Sequence, residues 1–122
     1  MTTAFNMAML VCADLSRSRD FYRNVLGLRV GTDALPHWVD FDLGGGVKLG
    51  LHPAGDHLIV RPGSLQLAFW VADVDRFVTD LRVAGVPILQ EPFEQNFGRV
   101  AVIADPDGYP VQVGTQKREP VP

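Results

Sequence analysis

The sequence predicts an α+β fold built from two βαβββ modules in tandem. The main observation is an internal repeat, in which Val11–Val30 is matched by the shorter stretch Val71–Val86. Each copy has an apolar strand ending in Ala-Asp, a short amphipathic helix, a glycine and another apolar strand, so that Asp14 aligns with Asp73. The second observation is that each half continues with further runs of strand length and strand pattern.

Length and composition indicate one ordinary globular domain. The chain has 122 residues, an apolar fraction of 47% and a formal net charge of −3, which argues against nucleic-acid and anionic-membrane partners. The single cysteine, Cys12, lies in an apolar run and has no internal disulfide partner, so it is interpreted as an inert buried thiol. No signal peptide or membrane-length apolar run is recognisable, and a cytoplasmic location is expected.

We expect the domain to contain modules at about 5–53 and 64–115, with a tail over 116–122. The linker 53–64 carries two prolines and two glycines, which is typical of a connecting segment. Its short apolar run, Leu58–Val60, is long enough to add an edge strand.

The first module begins with an apolar strand over residues 5–12. Ser16 is the predicted N-cap of a helix that runs through Leu26, and Gly27 is the predicted stop. A second strand follows over residues 28–33. The helix should pack on the sheet through a face containing Phe21, Tyr22, Val25 and Leu26.

Two further strands complete the first module. Residues 37–43 alternate in strand fashion, and three glycines at 44–46 predict a hairpin turn into the strand 47–52. The second module has the same order of elements: a strand over 65–71, a helix capped by Asp73 and running through Ala84, a strand over 86–89, a loop over 91–98, a strand over 99–104, a turn over 105–108 and a last strand over 109–114.

One helix per module covers only one face of each sheet, so the other faces must meet each other or enclose a guest. Strand alternation assigns to these faces an apolar and aromatic set with a few polar groups, which is typical of a small-molecule pocket. The loop 91–98 contains two phenylalanines and is predicted to lie over such a pocket as a lid. The assigned residues are Met7, Met9, Val11, Trp38, Asp40, Lys48, Gly50, His52, Gln66, Ala68, Trp70 and Gln112.

The motifs Asp14-Leu15, Phe21-Tyr22, Leu26-Gly27-Leu28 and Asp105-Pro-Asp-Gly-Tyr109 resemble those of the vicinal oxygen chelate superfamily. This group includes glyoxalase I, extradiol dioxygenases, methylmalonyl-CoA epimerase, and bleomycin- and fosfomycin-resistance proteins. The resemblance covers nearly all of residues 5–115. It implies that the two modules form a cup-shaped curved mixed sheet with the helices on the outside, and that the protein is a homodimer.

The resemblance also implies four positions at which metal-dependent members carry His or Glu. Here those positions are occupied by Met7, Gly50, Gln66 and Gln112. Amide oxygens alone bind hard divalent cations weakly, a thioether suits soft metals, and glycine has no donor. No metal or other cofactor is therefore predicted, and a divalent metal is not supported by these positions.

Two charged or titratable candidates have open interpretations. His52 lies on the same strand face as Gly50, where it either replaces a missing ligand or acts as a general base, or else is a solvated rim residue. Arg99, beside the predicted loop, is either a clamp for a carboxylate or phosphate or an exposed strand-edge charge.

These observations favour a protein that sequesters an aromatic or cationic small molecule. The alternatives are a lyase, isomerase or dioxygenase with a displaced or metal-free site built on His52, Gln66 and Gln112, and a structural module with a vestigial cavity. The predicted ligand-binding residues are Met7, Met9, Trp38, His52, Gln66, Trp70, Phe97, Arg99 and Gln112.

Overall fold

The structure is a computed structural model and describes residues 2–117. The chain divides into two compact units, with the boundary between Arg61 and Pro62. Each unit has the strand, helix, three-strand order that the internal repeat predicts, and the α+β class is confirmed. The predicted tail lies outside the described residues from position 118 onward. No helix within 2–117 is long and apolar enough to cross a membrane.

The first unit forms a four-stranded mixed sheet in the order β1-β4-β3-β2. β1 and β4 are parallel, whereas β4–β3 and β3–β2 are antiparallel. The elements are β1 Met7–Cys12, α1 Leu15–Asp20 continued by a π-helical turn Phe21–Val25, β2 Arg29–Ala34, β3 Trp38–Asp42 and β4 Lys48–Pro53.

The second unit repeats this topology with the order β5-β8-β7-β6. β5 and β8 are parallel, and the other two pairs are antiparallel. The elements are a 3₁₀ turn Pro62–Ser64, β5 Leu67–Trp70, α2 Val74–Val83, β6 Ile88–Gln95, β7 Gly98–Ala104 and β8 Pro110–Gln116.

The helix of each unit begins at an aspartate. Asp73 caps α2 as predicted, and its side chain accepts a hydrogen bond of 3.2 Å from the backbone nitrogen of Arg76. The corresponding cap of α1 is Asp14, which accepts an equivalent bond from Arg17. The prediction of Ser16 as this cap is wrong, because a carboxylate two residues earlier reaches the unpaired amide first. The helix also changes to a π-helical turn at Phe21 instead of continuing as α-helix to Leu26.

The core of each unit lies between its helix and one face of its sheet. In the first unit the rings of Phe21 and Tyr22 contact each other edge-on, with centroids 5.1 Å apart, and Tyr22 contacts Phe41. The alternation predicted from sequence is observed, since Leu49 and Leu51 are buried. The largest fully buried side chains of the second unit are Val74, Val78, Ile103, Val111 and Val113.

The loop predicted over residues 91–98 is wrong. Residues up to Gln95 belong to β6, which pairs with β7 through Phe93 and Val100 and turns tightly at Asn96 and Phe97. Two register irregularities in this ladder break the alternation, so the strand has no recognisable pattern in sequence. The expected edge strand at Leu58–Val60 is also not formed.

Candidate functional site

The open face of the second sheet, on the side away from α2, presents a large aromatic side chain to solvent. Trp70 is 52% exposed. It lies opposite Gly114 in the parallel β5–β8 ladder, two pairs beyond Ala68 and Gln112. A side chain at Gly114 would come within 3.3 Å of the Trp70 ring and 2.8 Å of Val100. The glycine therefore leaves the room in which the indole lies against the sheet.

Phe97 supplies a second ring at this place. It lies at the β6–β7 turn and contacts Trp70 edge-to-face, with ring centroids 6.3 Å apart. Phe97 is itself 51% exposed. The two rings form an aromatic corner with much of its surface in water, although Phe97 comes from a hairpin turn and not from the loop predicted by sequence.

A small cavity lies beside this corner. It has a volume of about 150 Å³ and is lined by Ala68, Phe69, Trp70 and Gln112. Gln112 is half-buried and provides both donors and an acceptor. Whole pockets for drug-sized ligands usually exceed about 300 Å³, so this cavity is sized for one ring or one substituent.

The open face of the first sheet carries a different arrangement around a second tryptophan. Trp38 and His52 are neighbours, with ring centroids 6.4 Å apart. The indole of Trp38 lies across Gly50, where an added Cβ would be 2.5 Å from its Cη2 atom and 2.8 Å from the sulfur of Met7. Aromatic and thioether atoms therefore occupy the volume that a side chain at position 50 would need.

Asp40 is a buried carboxylate behind this indole. Its Oδ2 accepts a 2.8 Å hydrogen bond from Trp38 Nε1, and its Oδ1 accepts a 2.9 Å bond from the backbone nitrogen of Thr32. Burial acts to raise the pKa of Asp40, but these hydrogen bonds and the nearby Lys48 ammonium outweigh it and hold the pKa below its ordinary value. The carboxylate is accordingly charged at neutral pH.

His52 is half-buried at the end of β4. Its Nδ1 lies 2.7 Å from the carbonyl oxygen of Pro53. Because a carbonyl only accepts hydrogen bonds, Nδ1 carries a proton, and in the neutral imidazole the lone pair is on Nε2. This tautomer gives His52 the chemical capacity of a base or ligand through Nε2.

The four positions that the resemblance associates with metal ligands offer a poor donor set. Gly50 lies under the Trp38 ring with the Met7 sulfur nearby, and Gln112 borders the aromatic corner. Gln66 is exposed and precedes β5. Over residues 2–117, no three His, Cys, Asp or Glu side chains come together in a group able to hold a metal ion. The residues present therefore do not fit a divalent metal at these positions.

Arg99 lies on the opposite side of the second sheet from Trp70. Its guanidinium donates hydrogen bonds of 2.7 and 3.0 Å to Asp75 at the start of α2, and Glu94 lies 3.5 Å away. The hydrogen bonds from Arg99 lower the pKa of Asp75, and the same pairing raises the pKa of Arg99. Arg99 is thus paired within its own unit and is not part of the aromatic corner.

Two larger cavities, of about 360 and 500 Å³, lie at the starts of α2 and α1. The first is lined by the Arg99–Asp75 pair, whose charges are already balanced. The second is lined mainly by Leu15, Leu35 and prolines. Neither cavity is lined by a tryptophan or by Phe97, so the larger cavities and the exposed aromatic side chains lie at different places. We favour the aromatic faces, because stacking surfaces and hydrogen-bonding groups determine which ligand binds.

Among the predicted ligand residues, Arg99 lies away from the open faces and Phe97 lies in a turn, and the strand pattern did not indicate the contribution of Asp40. Strand alternation put this aspartate on the correct face, yet gave no sign that it bonds to Trp38. An acidic residue at an inward position two residues from a tryptophan was the available signal. Met9, another predicted residue, is 47% exposed on the same sheet.

The fold and these faces define a member of a known superfamily. Residues 4–113 match the family model of the Glyoxalase/Bleomycin resistance protein/Dioxygenase superfamily. The chain belongs to this superfamily, and the resemblance seen in its motifs is confirmed.

Among individual relatives, the chain is 24% identical over 115 residues to the phenazine antibiotic resistance protein EhpR of Enterobacter agglomerans, covering 88% of each chain. The crystal structure of TnmS3, an antibiotic binding protein from Streptomyces sp. CB03234, has a TM-score of 0.76 and 25% identity, covering 95% of this chain and 98% of that one. A glyoxalase-related enzyme from Fulvimarina pelagi has a TM-score of 0.79 and 22% identity over 99% of this chain and 94% of the other, and shows the same fold.

Proposed function

We propose that this protein binds a planar aromatic small molecule and sequesters it without converting it. The observation that carries the proposal is the aromatic corner of Trp70 and Phe97, both about half exposed, beside the amide of Gln112. A ring stacked on Trp70 would leave water together with the indole, and Gln112 would select for a polar substituent at its edge.

The exposed indole represents a free energy that a ligand can recover. An aromatic side chain buries roughly 150–250 Å² when fully enclosed. Since Trp70 is 52% exposed, about half of that area is still available for burial. At about 25 cal/mol per Å², a covering ring would gain roughly 2–3 kcal/mol from this side chain alone. That is a substantial share of the binding free energy of a micromolar complex, about 8 kcal/mol.

Two of the relatives support the binding of an aromatic antibiotic-like compound. EhpR confers resistance to a phenazine antibiotic, and TnmS3 binds an antibiotic. In addition, the positions at which metal-dependent members carry His or Glu have no imidazole or carboxylate in this chain. Both points favour a binding protein over a metal-dependent enzyme.

The second candidate function is catalysis at a displaced site on the first sheet. The observation in its favour is the tautomer of His52, in which Nε2 has the lone pair required of a general base. Such an enzyme would consume its ligand, which separates it experimentally from a sequestering protein.

The proposal also covers the domain organisation, oligomeric state and location of the protein. We expect one domain made of the two modules, acting as a homodimer in the cytoplasm. Light scattering on purified protein tests the dimer directly, and a mass equal to a single chain at micromolar concentration would contradict it.

The test is a titration of the protein with phenazine, followed by tryptophan fluorescence and by calorimetry. Saturable quenching with one ligand per site is expected, and mass spectrometry should recover the phenazine unchanged. Absence of saturable binding, or steady conversion of the compound, would contradict sequestration. The Trp70→Phe variant keeps a stacking ring, so it should retain binding by calorimetry while losing the part of the quenching signal that comes from Trp70.

Elemental analysis of the untagged protein gives a separate readout. We expect far less than one equivalent of zinc, nickel, iron or manganese per chain, because thioether, glycine and amide positions do not form a site for such ions. A stoichiometric content of any of them would overturn the interpretation of these positions.

A further inference from the structure

Asp40 is a buried charge on the open face of the first sheet, and the aromatic corner around Trp70 does not require it. It is only 4% exposed. Removing a carboxylate from water is costly unless hydrogen bonds replace those of the solvent. A buried carboxylate lowers stability unless it is well paired, so the hydrogen-bond partners of Asp40 indicate its role.

The partners of Asp40 fix the carboxylate through both of its oxygens. Trp38 donates to one oxygen and the Thr32 amide to the other, while the Lys48 ammonium lies 3.9 Å from Oδ2. The register irregularity in β2 lies beside it, and a Cβ at Gly31 would collide with Oδ1. The strand is thus shaped around the carboxylate.

The hydrogen bond from Trp38 fixes the indole in turn. With its Nε1 held by Asp40, the six-membered ring extends over Gly50 and beside the Met7 sulfur. Glycine at position 50 allows the ring to lie directly on the sheet backbone. A half-buried tryptophan fixed in this way presents a flat surface with little conformational entropy left to lose upon binding.

The same hydrogen bond changes the electrostatics of the ring. An N–H donated to a charged carboxylate polarises the indole and adds electron density to its π system. The negative face of tryptophan already attracts cations and electron-poor rings. The carboxylate behind the ring strengthens this preference, and the Lys48 ammonium 3.9 Å from the same carboxylate offsets only part of it.

We propose that Asp40 is a positioning residue that holds Trp38 as a second ring-binding platform, one that prefers cationic planar rings over neutral ones. The proposal rests on the proposed function, because it takes an aromatic ring as the guest. It adds a preference for positive charge and assigns that preference to a residue that does not itself contact the ligand.

The experiment compares phenazine with N-methylphenazinium, which has the same ring system and one positive charge. The protein carries Trp70→Phe, so that Trp38 is the only indole and its fluorescence reports on the first sheet. We expect N-methylphenazinium to bind about 2–30-fold more tightly than phenazine, the range of a cation–π contribution. Asp40→Asn should bring the ratio of the two dissociation constants close to one.

Asp42→Asn is the matched control. It removes the same charge from the same strand, but Asp42 bonds to the Gly44 amide and not to an indole. The ratio should therefore stay within about twofold of the parent value, since an exposed charge is largely screened. An equal loss of preference in both variants would mean that net charge, and not the Asp40–Trp38 bond, sets the selectivity, and would overturn the proposal.

A second variant guards against misfolding of Asp40→Asn. Trp38→Phe, with Trp70 retained, keeps a ring but removes the Nε1 donor, and calorimetry should show a reduced preference for the cation. An unchanged preference in Trp38→Phe or in folded Asp40→Asn overturns the platform while leaving sequestration at Trp70 intact. Binding of neither probe to the unmodified protein overturns both proposals.

Discussion

Replacing Trp70 by alanine separates a ligand-binding surface from a core side chain. Trp70 is 52% exposed, so about 75–120 Å² of its area is withdrawn from water in the folded protein. At about 25 cal/mol per Å² this amounts to roughly 2–3 kcal/mol. That value is an upper limit, because the unfolded chain is itself partly compact and alanine retains some burial. We expect the free energy of unfolding to fall by about 1–2 kcal/mol.

Binding should be affected as strongly as stability. Loss of an aromatic stacking partner costs about 1–3 kcal/mol per ring, which corresponds to roughly 5–150-fold in the dissociation constant for phenazine. Urea unfolding and calorimetric titration of the same preparation measure the two quantities. Phe41→Ala is the comparison for a core ring: Phe41 is 0% exposed, and its truncation should cost about 3–5 kcal/mol.

Trp70 is a core side chain if Trp70→Ala behaves like the Phe41 variant. A stability loss of about 3–5 kcal/mol with unchanged affinity per folded molecule would place Trp70 in the core. The open face of the second sheet would then not be the binding surface, and the sequestration proposal would lose its main support.

Three further predictions concern the fold and its titration. Gly98→Ala should destabilise the protein by about 1–3 kcal/mol in urea unfolding, because Gly98 has φ of 157° and an added Cβ would meet a backbone oxygen. Gly55 has open space around it, so Gly55→Ala should leave the free energy of unfolding nearly unchanged. Equal effects of the two substitutions would contradict the prediction. Asp14→Ala should lower the free energy of unfolding by about 1 kcal/mol, because it removes the N-cap of α1. Ser16→Ala should lower it by less than about 0.5 kcal/mol. The reverse order would mean that Ser16 is the cap, as the sequence predicted. Because the pKa of Asp40 is lowered from 3.8 in the folded protein, its charge stabilises the fold above that value and the contribution is lost as pH falls through the folded pKa. The difference in unfolding free energy between the wild type and Asp40→Asn should therefore shrink in acid, and a constant difference down to about pH 2 would refute the assignment.

Much of this architecture could be predicted because alternation and repetition are local signals. The alternation at Leu49 and Leu51 predicted directly that both side chains are buried. The repeated pattern from an aspartate to a glycine predicted both helices. The strand around Phe93 could not be found, since two irregularities shift its register and remove the period-two pattern. Pairing with β7 stabilises such a strand, and contacts across a ladder are not visible in the pattern of one strand alone.

The strand pattern predicted which residues lie on the open faces of the strands, but it did not predict how their side chains pair. Arg99 illustrates the limit: an arginine beside aromatic residues has the composition of an anion clamp, but Asp75, from a helix 24 positions earlier, pairs with it on the other side of the sheet. Asp40 illustrates the converse, since its role depends on a hydrogen bond between two residues of one strand. Side-chain pairing depends on rotamers, and the strand pattern contains no information about them.

The glycine beneath Trp38 makes two positions of this chain interdependent. A histidine or glutamate introduced at position 50 would have to displace the indole, since even a Cβ would lie 2.5 Å from it. Removing Trp38 alone would leave Gly50 facing a void and Asp40 without its donor. When both positions are substituted, the new side chain at position 50 fills the space left by Trp38. A double-mutant cycle should therefore show a coupling of about 0.5–3 kcal/mol in the free energy of unfolding. Whichever of the two positions is substituted first, the resulting single mutant is therefore destabilised. This epistasis between positions 38 and 50 hinders the evolution of a metal ligand at position 50.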